Sequence, residues 1–236
     1  MARKSRPPAR RGTQTSDVDT FLKQVAATPQ VRRPQDVGRL IFAMDATASR
    51  EPTWDRASDI QASMFAETER LGGLEVQLAY YRGFGEFDAS PWCADARSLL
   101  GRMTAVTCRA GRTQIARVLS HARDEARRGR VNALVFVGDC MEEDPDHLGE
   151  LAGQLGLLGV PAFMFHEGGD ERARKVFTEV ARLTGGACCR FDANSPRQLR
   201  DLLAAVAVYA AGGRAALGEL ADARGGEIKK LTRQLS

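Results

Sequence analysis

At 236 residues with 43% hydrophobic side chains, the chain suffices for one well-buried domain with tails, and its 6% aromatic share gives no hint of a platform for stacking bases. The formal net charge of +4 belongs to one end: Arg3, Lys4, Arg6, Arg10 and Arg11 place five positives in the first sixteen residues, so the remainder carries a net −1 and lacks the basic surface of a nucleic-acid binder. No apolar run approaches the roughly 18 residues of a membrane span, and the polar stretch from Ser5 to Asp17 lacks the apolar core of a secretory signal, so cytoplasmic residence is the expectation.

The Arg/Pro-rich residues 1–16 read as a disordered basic leader, solvated in the ordinary case and otherwise a contact for RNA, an acidic partner or anionic lipid. Val18, Phe21, Leu22 and Val25 then follow helical spacing, with Ser16 or Asp17 as cap, so residues 17–37 read as a short docking helix and a Pro-bearing linker. The core alternates strands and helices. Leu40 to Met44 is an apolar run of strand length, and a helix over Thr53 to Leu71 is closed by Gly72-Gly73. Leu74 to Tyr81 is a second strand, with a tight turn over Arg82 to Phe87 into a hairpin partner. Helices around Ala94 to Met103 and from Thr113 to Arg127 precede a buried strand, Val131 to Val137.

Pro145 sits near the start of a helix to about Leu158, followed by a strand over Val160 to Phe165. A helix over Arg172 to Leu183 closes at Gly185-Gly186 before a last strand, Ala187 to Phe191. Ser195-Pro196 then reads as a cap with proline at the first helical position, opening a helix to about Ala211. Strands separated by helices of this length predict an α/β fold: a Rossmann-like three-layer sandwich with a mostly parallel central sheet and helices on both faces. Residues 212–236 form a helical or disordered C-terminal extension, in which Ile228, Leu231 and Leu235 hold helical spacing.

Three segments carry the chemistry. Asp45-Ala46-Thr47-Ala48-Ser49, Gly111-Arg112-Thr113 and Gly138-Asp139 place hydroxyls or carboxylates at strand-to-loop or loop-to-helix junctions, and in an open α/β sheet such ends gather at the crevice outside the carboxyl edge. Three hydroxyl oxygens (Thr47, Ser49, Thr113) and two carboxylates (Asp45, Asp139) make a hard, all-oxygen set suited to Mg²⁺ or Mn²⁺. Three widely spaced histidines and five cysteines without C-x-x-C spacing give no structural zinc site and fit a reducing compartment. Vicinal Cys188-Cys189 reads as packing ahead of redox chemistry. Adjacent Ser120-His121 on a helix cannot face each other as a catalytic pair. His166 to Asp170 either lines the same crevice or is an ordinary strand-to-helix turn.

Phe42-Ala43-Met44-Asp45-Ala46-Thr47-Ala48-Ser49 resembles the Asp-x-Ser-x-Ser motif of von Willebrand factor A-type domains. Gly111-Arg112-Thr113 is similar to their second-loop threonine, and Val137-Gly138-Asp139 to their third-loop aspartate. The likeness covers roughly Arg39 to Ala211, so residues 38–211 are expected to form the domain. It implies a metal-ion-dependent adhesion site in which Asp45, Thr47, Ser49, Thr113 and Asp139 hold Mg²⁺ or Mn²⁺ directly or through water, leaving a position open to an acidic side chain of a protein partner. Small cytosolic bacterial members of the family imply adaptor work for a chaperone or an AAA-type ATPase. Two departures stand out. Thr47 replaces the commoner serine, and Cys140 stands where the family usually has glycine, ahead of the acidic run Glu142-Glu143-Asp144. Those acids could supplement the site, cap the following helix or repel an acidic ligand.

Two other readings stay open. A haloacid-dehalogenase-like phosphatase would use Asp45 as nucleophile and Asp139 as Mg²⁺ ligand. It would, however, need an acid where Thr47 stands, and no lysine lies between Lys23 and Lys175. A metal-free scaffold would bind through its tails.

Overall fold

The computed structural model describes residues 20, 21, 23, 24, 37–191 and 196–233, with side chains of the last helix described only as far as residue 220. The expected leader (1–16), the linker around Thr28 to Pro34, the Ser195 cap and Leu235 lie outside the described residues. Six strands form one sheet: β1 (Gly38–Asp45), β2 (Leu74–Arg82), β3 (Glu86–Ala89), β4 (Ala133–Gly138), β5 (Ala162–Glu167) and β6 (Ala187–Phe191), in the order β3-β2-β1-β4-β5-β6. All neighbours pair parallel except β2 with β3, the hairpin closed by the turn after Arg82.

The strands are apolar throughout because the sheet is covered twice. Along β1, Leu40, Phe42 and Met44 enter one core while Ile41 and Ala43 enter the other. The first core is roofed by α1 (Glu51–Ile60), α2 (Ala62–Thr68), α3 (Ala96–Thr104) and the N-terminal half of α7 (Pro196–Arg233). The second is roofed by α4 (Ile115–Arg128), α5 (Pro145–Leu157) and α6 (Glu171–Thr184). This is the expected three-layer α/β sandwich. Two close approaches require glycine: a Cβ on Gly186 would stand 2.0 Å from the Ala162 carbonyl, and one on Gly38 2.6 Å from that of Ala210.

Three boundaries differ from the periodicity. The helix expected over Thr53 to Leu71 keeps helical backbone through Gln61 (φ −59°, ψ −30°), where a local turn divides it into α1 and α2, and its last turn tightens into a 3₁₀ segment, Glu69–Leu71. Thr113 does not open α4; it stands in the loop two residues before Ile115, which frees its hydroxyl for the sheet edge. Helical assignment runs past Ala211 to Arg233, but Gly213 has φ 79° and ψ −166°, so two helices meet at a kink beside the Gly212-Gly213 pair. At the other end, Thr20, Phe21, Lys23 and Gln24 are helical, and the buried Phe21 ring meets Phe163 and Phe165 edge-on at 6.2 and 5.4 Å. Val18, Leu22 and Val25, which share its expected face, are outside the described residues.

The strand order places the site. From β1 the chain winds outward to β2 and β3, then crosses back so that β4 pairs on the other side of β1. The carboxyl ends of β1 and β4 therefore flank the switch point, where diverging loops leave a crevice.

Candidate metal centre

Asp45 is the last residue of β1 and fully buried. The chain turns at once into the 3₁₀ segment Ala48–Arg50, with Thr47 extended (φ −72°, ψ 162°) at its entrance. The turn is held by the Thr47 N–H, which donates to Asp45 Oδ1 at 2.7 Å, and by the Arg50 N–H, which donates to the Thr47 carbonyl at 2.9 Å. Thr47 Oγ1 and Ser49 Oγ consequently face the same side, 3.4 Å apart.

Across the switch point, a Cβ at Gly138 would press on the Phe136 ring at 2.7 Å, so only glycine lets β4 end flush under Asp139. Ser49 Oγ donates to Asp139 Oδ2 at 3.3 Å, joining the two strand ends. One side-chain atom each from Asp45, Asp139 and Cys140 lie within 4.8 Å of one another. Thr113 arrives from a third segment. Gly111 packs so tightly on the β2–β3 turn that a Cβ there would fall 2.0 Å from the Gly83 carbonyl, and the Arg112 N–H donates to that carbonyl at 3.1 Å. Thr47, Ala48, Ser49, Ala110, Gly111, Thr113, Cys140 and Glu142 line one shallow depression of about 230 Å³.

All five residues singled out in the sequence thus meet at one place. Two of their oxygens are conspicuous: Asp45 Oδ2 and Asp139 Oδ1 are buried and make no hydrogen bond of regular geometry among the described residues, with the buried Tyr81 hydroxyl beside Asp45 and the Cys140 thiol beside Asp139. Burial pushes the Asp45 carboxyl up to about 6; the Thr47 N–H and hydroxyl oppose that rise, the Asp139 charge adds to it, and Arg50 opposes it. Burial likewise pushes the Cys140 thiol up to about 12, with the Asp139 charge adding to it. Carboxylates with spare buried oxygens beside neutral hydroxyls fit a hard divalent cation.

The acidic run after Asp139 divides its work. Glu143 accepts from the Ile115 and Ala116 N–H groups at 2.5 and 2.9 Å, capping α4 rather than the helix that follows it. Asp144 takes the following helix, accepting from the Asp146 N–H at 3.1 Å. Glu142 and Thr113 are bonded reciprocally, each backbone N–H donating to the other's side chain, at 3.3 and 3.1 Å. His166 and Glu167 do join this edge: His166 Nε2 lies 3.2 Å from the Asp139 carbonyl. Asp170 serves as an ordinary cap, accepting from the Arg172 and Ala173 N–H groups.

Sequence reasoning missed Arg50, and it reached Glu167 only as part of the His166 to Asp170 segment that could line the crevice. The Arg50 guanidinium reaches under the site, pairing with Glu167 and lying 3.3 Å from Asp139 Oδ2. The one available signal was a charged residue immediately after Ser49, at the start of a helix that packs on the core.

Ser120-His121 is no catalytic pair: His121 lies 2.8 Å from Gln77 Oε1 and tilts against the Phe87 ring. Burial pushes the Cys188 thiol up to about 11, and all five cysteines are free. Among the described residues no helix is long and apolar enough to cross a membrane.

A mostly parallel α/β sandwich with hydroxyls and paired carboxylates at its switch point belongs to the Rossmann-like class of folds. Within that class, this is the fold of a von Willebrand factor A-type domain. The chain is similar to a von Willebrand factor type A protein from Catenulispora acidiphila, at a TM-score of 0.58 and 15% identity over 72% of this chain, and it spans 42% of that protein's length. It is similar to the SpRpn10 VWA domain at a TM-score of 0.55 and 15% identity, covering 71% of this chain and 94% of that one. A third likeness is to the pilus adhesin SpaC from Lactobacillus rhamnosus GG, in an open conformation, at a TM-score of 0.56 and 10% identity, covering 76% and 30% of the two chains. No protein-family model matches the sequence, and no curated protein matches it.

Proposed function

We propose that this chain is a protein-interaction domain that takes up Mg²⁺ or Mn²⁺ at the β1–β4 switch point and offers a coordination position to an acidic side chain of a partner protein. The observation that carries this reading is the pair of buried carboxylate oxygens without a hydrogen bond of regular geometry, Asp45 Oδ2 and Asp139 Oδ1, set beside three hydroxyls. Asp45, Thr47, Ser49, Thr113 and Asp139 would hold the ion, directly or through water. A bound ion of this kind acts as a Lewis acid that accepts a further oxygen ligand, and neutral hydroxyls leave it more electrophilic than a full set of carboxylates would.

The surroundings suit a macromolecular ligand. The depression is shallow, and the β2–β3 turn that packs on Gly111, one of its lining residues, carries Phe84, 82% exposed. An exposed aromatic ring beside a coordination site is the kind of anchor that protein interfaces use. On this reading residues 38–211 are the binding unit, flanked by the basic leader (1–16), the docking helix and linker (17–37) and the C-terminal extension (212–236). The resemblance extends the proposal to a non-enzymatic, cytoplasmic bacterial protein acting as an adaptor for a chaperone or an AAA-type ATPase.

Calorimetric titration of Mg²⁺ and Mn²⁺ into chelator-stripped protein tests the reading, with Asp45→Ala and Thr113→Ala alongside and phosphatase turnover assayed in parallel. Saturable binding in the native chain, lost in both variants while each stays folded and without turnover, is the expected result. Metal-dependent turnover would establish the phosphatase chemistry instead. No saturable binding, or a partner still retained from lysate in chelator, would overturn the metal bridge and turn attention to the tails.

A further inference from the structure

A cation is already built into this site. The Arg50 side chain is only 9% exposed, and a guanidinium so deep in a protein needs compensating charge. Its firm partner is Glu167, at the carboxyl end of β5: Nη1 pairs with Oε2, the same oxygen to which Thr53 Oγ1 donates at 2.5 Å. Its loose partner is Asp139. Nε lies 3.3 Å from Oδ2 without the alignment of a hydrogen bond, and that oxygen already accepts from Ser49 Oγ. Asp139 Oδ1 is left uncommitted.

We propose that Arg50 is an internal counter-cation that sets how tightly this site holds a divalent metal: tethered by Glu167 and Thr53, its guanidinium shares Asp139 with the metal and holds the affinity down. The inference rests on the metal reading above and concerns residues outside the ligand set. Its basis is a charge count. Asp45, Asp139 and Glu167 bring three negative charges and Arg50 one positive, a net −2 that a single divalent ion neutralises. Glu142 and Glu143 also carry charge at this edge, but they accept from the N–H groups of Thr113, Ile115 and Ala116 and make no ion pair with Arg50, so the count above is that of the acids Arg50 touches together with Asp45. Without Arg50 the cluster would stand at −3 and hold metal more tightly. Without Glu167 the guanidinium would lose its tether, pair fully with Asp139 and present an unbalanced positive charge to the ion.

The experiment is calorimetric titration of Mn²⁺ into the chelator-stripped full chain and into four variants, each checked for folding by circular dichroism. Arg50→Gln should tighten binding by about tenfold and Glu167→Gln should weaken it by about tenfold, as charge changes this close to a partly buried ion do. Arg50→Lys keeps the charge and should stay within about threefold of the native chain. The double variant Arg50→Gln/Glu167→Gln stands again at −2 and should bind about tenfold more tightly than Glu167→Gln, near the native affinity; that comparison decides the matter if Arg50→Gln fails to fold. A merely structural role for Arg50 would lower affinity in every variant, and that result overturns the proposal. Equal affinities across the set also overturn it while leaving the metal reading standing. A native chain that binds no Mn²⁺ beside an Arg50→Gln variant that does would uphold the counter-cation and overturn the metal reading for the native protein. No saturable binding in any folded variant overturns both.

Discussion

Two sets of carboxylates crowd the same edge of the sheet, and the fold treats them oppositely. Glu143, Asp144 and Asp170 face helix N-termini and accept from backbone N–H groups that would otherwise lack partners. The fold accounts for them completely. Asp45 and Asp139 sit at strand ends, are more deeply placed, and each keeps one buried oxygen without a hydrogen bond of regular geometry among the described residues. Leaving a buried acceptor unsatisfied destabilises a protein by about 1–3 kcal/mol, so the fold itself gains nothing from these two oxygens. Asp139 and Asp144, in one loop, differ in burial and in whether a buried oxygen is left without a partner.

The sharpest way to break this contrast is to remove one acid from each set. Asp139→Ala should weaken Mn²⁺ binding by at least about 100-fold in calorimetry, whereas Glu143→Gln should leave it unchanged. Next in size is the loop that delivers Thr113. Gly111→Ala forces a Cβ into the Gly83 carbonyl and should cost about 2–3 kcal/mol in chemical denaturation, with a loss of metal affinity because the Thr113 hydroxyl moves.

A third test concerns the cost of the orphaned acid itself. The Asp45 carboxyl rises from 3.8 to about 6 on folding, so between those values the folded chain holds more protons than the unfolded one. Stability of the chelator-stripped protein should therefore fall as pH rises through that window, by about 3 kcal/mol in total. Asp45→Asn should flatten the slope in urea titrations at pH 4 and pH 7, and equal slopes in the two proteins would refute the assignment. The smallest effect belongs to the caps. Glu143→Gln and Asp144→Ala should each lower stability by about 1 kcal/mol through lost helix capping, with unchanged metal affinity.

Much of this arrangement was legible in the chain. Continuous apolar runs such as Leu40 to Met44 announced strands covered on both faces, and the alternation of strands with helices announced the parallel sheet. Asp45, Thr47, Ser49, Thr113 and Asp139 stood out because hydroxyls and carboxylates at strand ends have few structural duties. The helix over Thr53 to Leu71 is legible because its apolar positions keep their spacing across Gln61, whose backbone stays helical although a local turn divides α1 from α2 there.

Local pattern determined which residues become strands, where helices are capped and which side chains can carry chemistry, because those properties depend on neighbours within a few positions. Tertiary structure alone decided their company. Arg50 meets Glu167 across 117 positions, and Glu143 caps a helix 27 and 28 positions earlier in the chain instead of its own. Those pairings follow from the crossover that sets β4 beside β1 and β5 beside β4, and no spacing along the chain encodes a distance measured across a sheet.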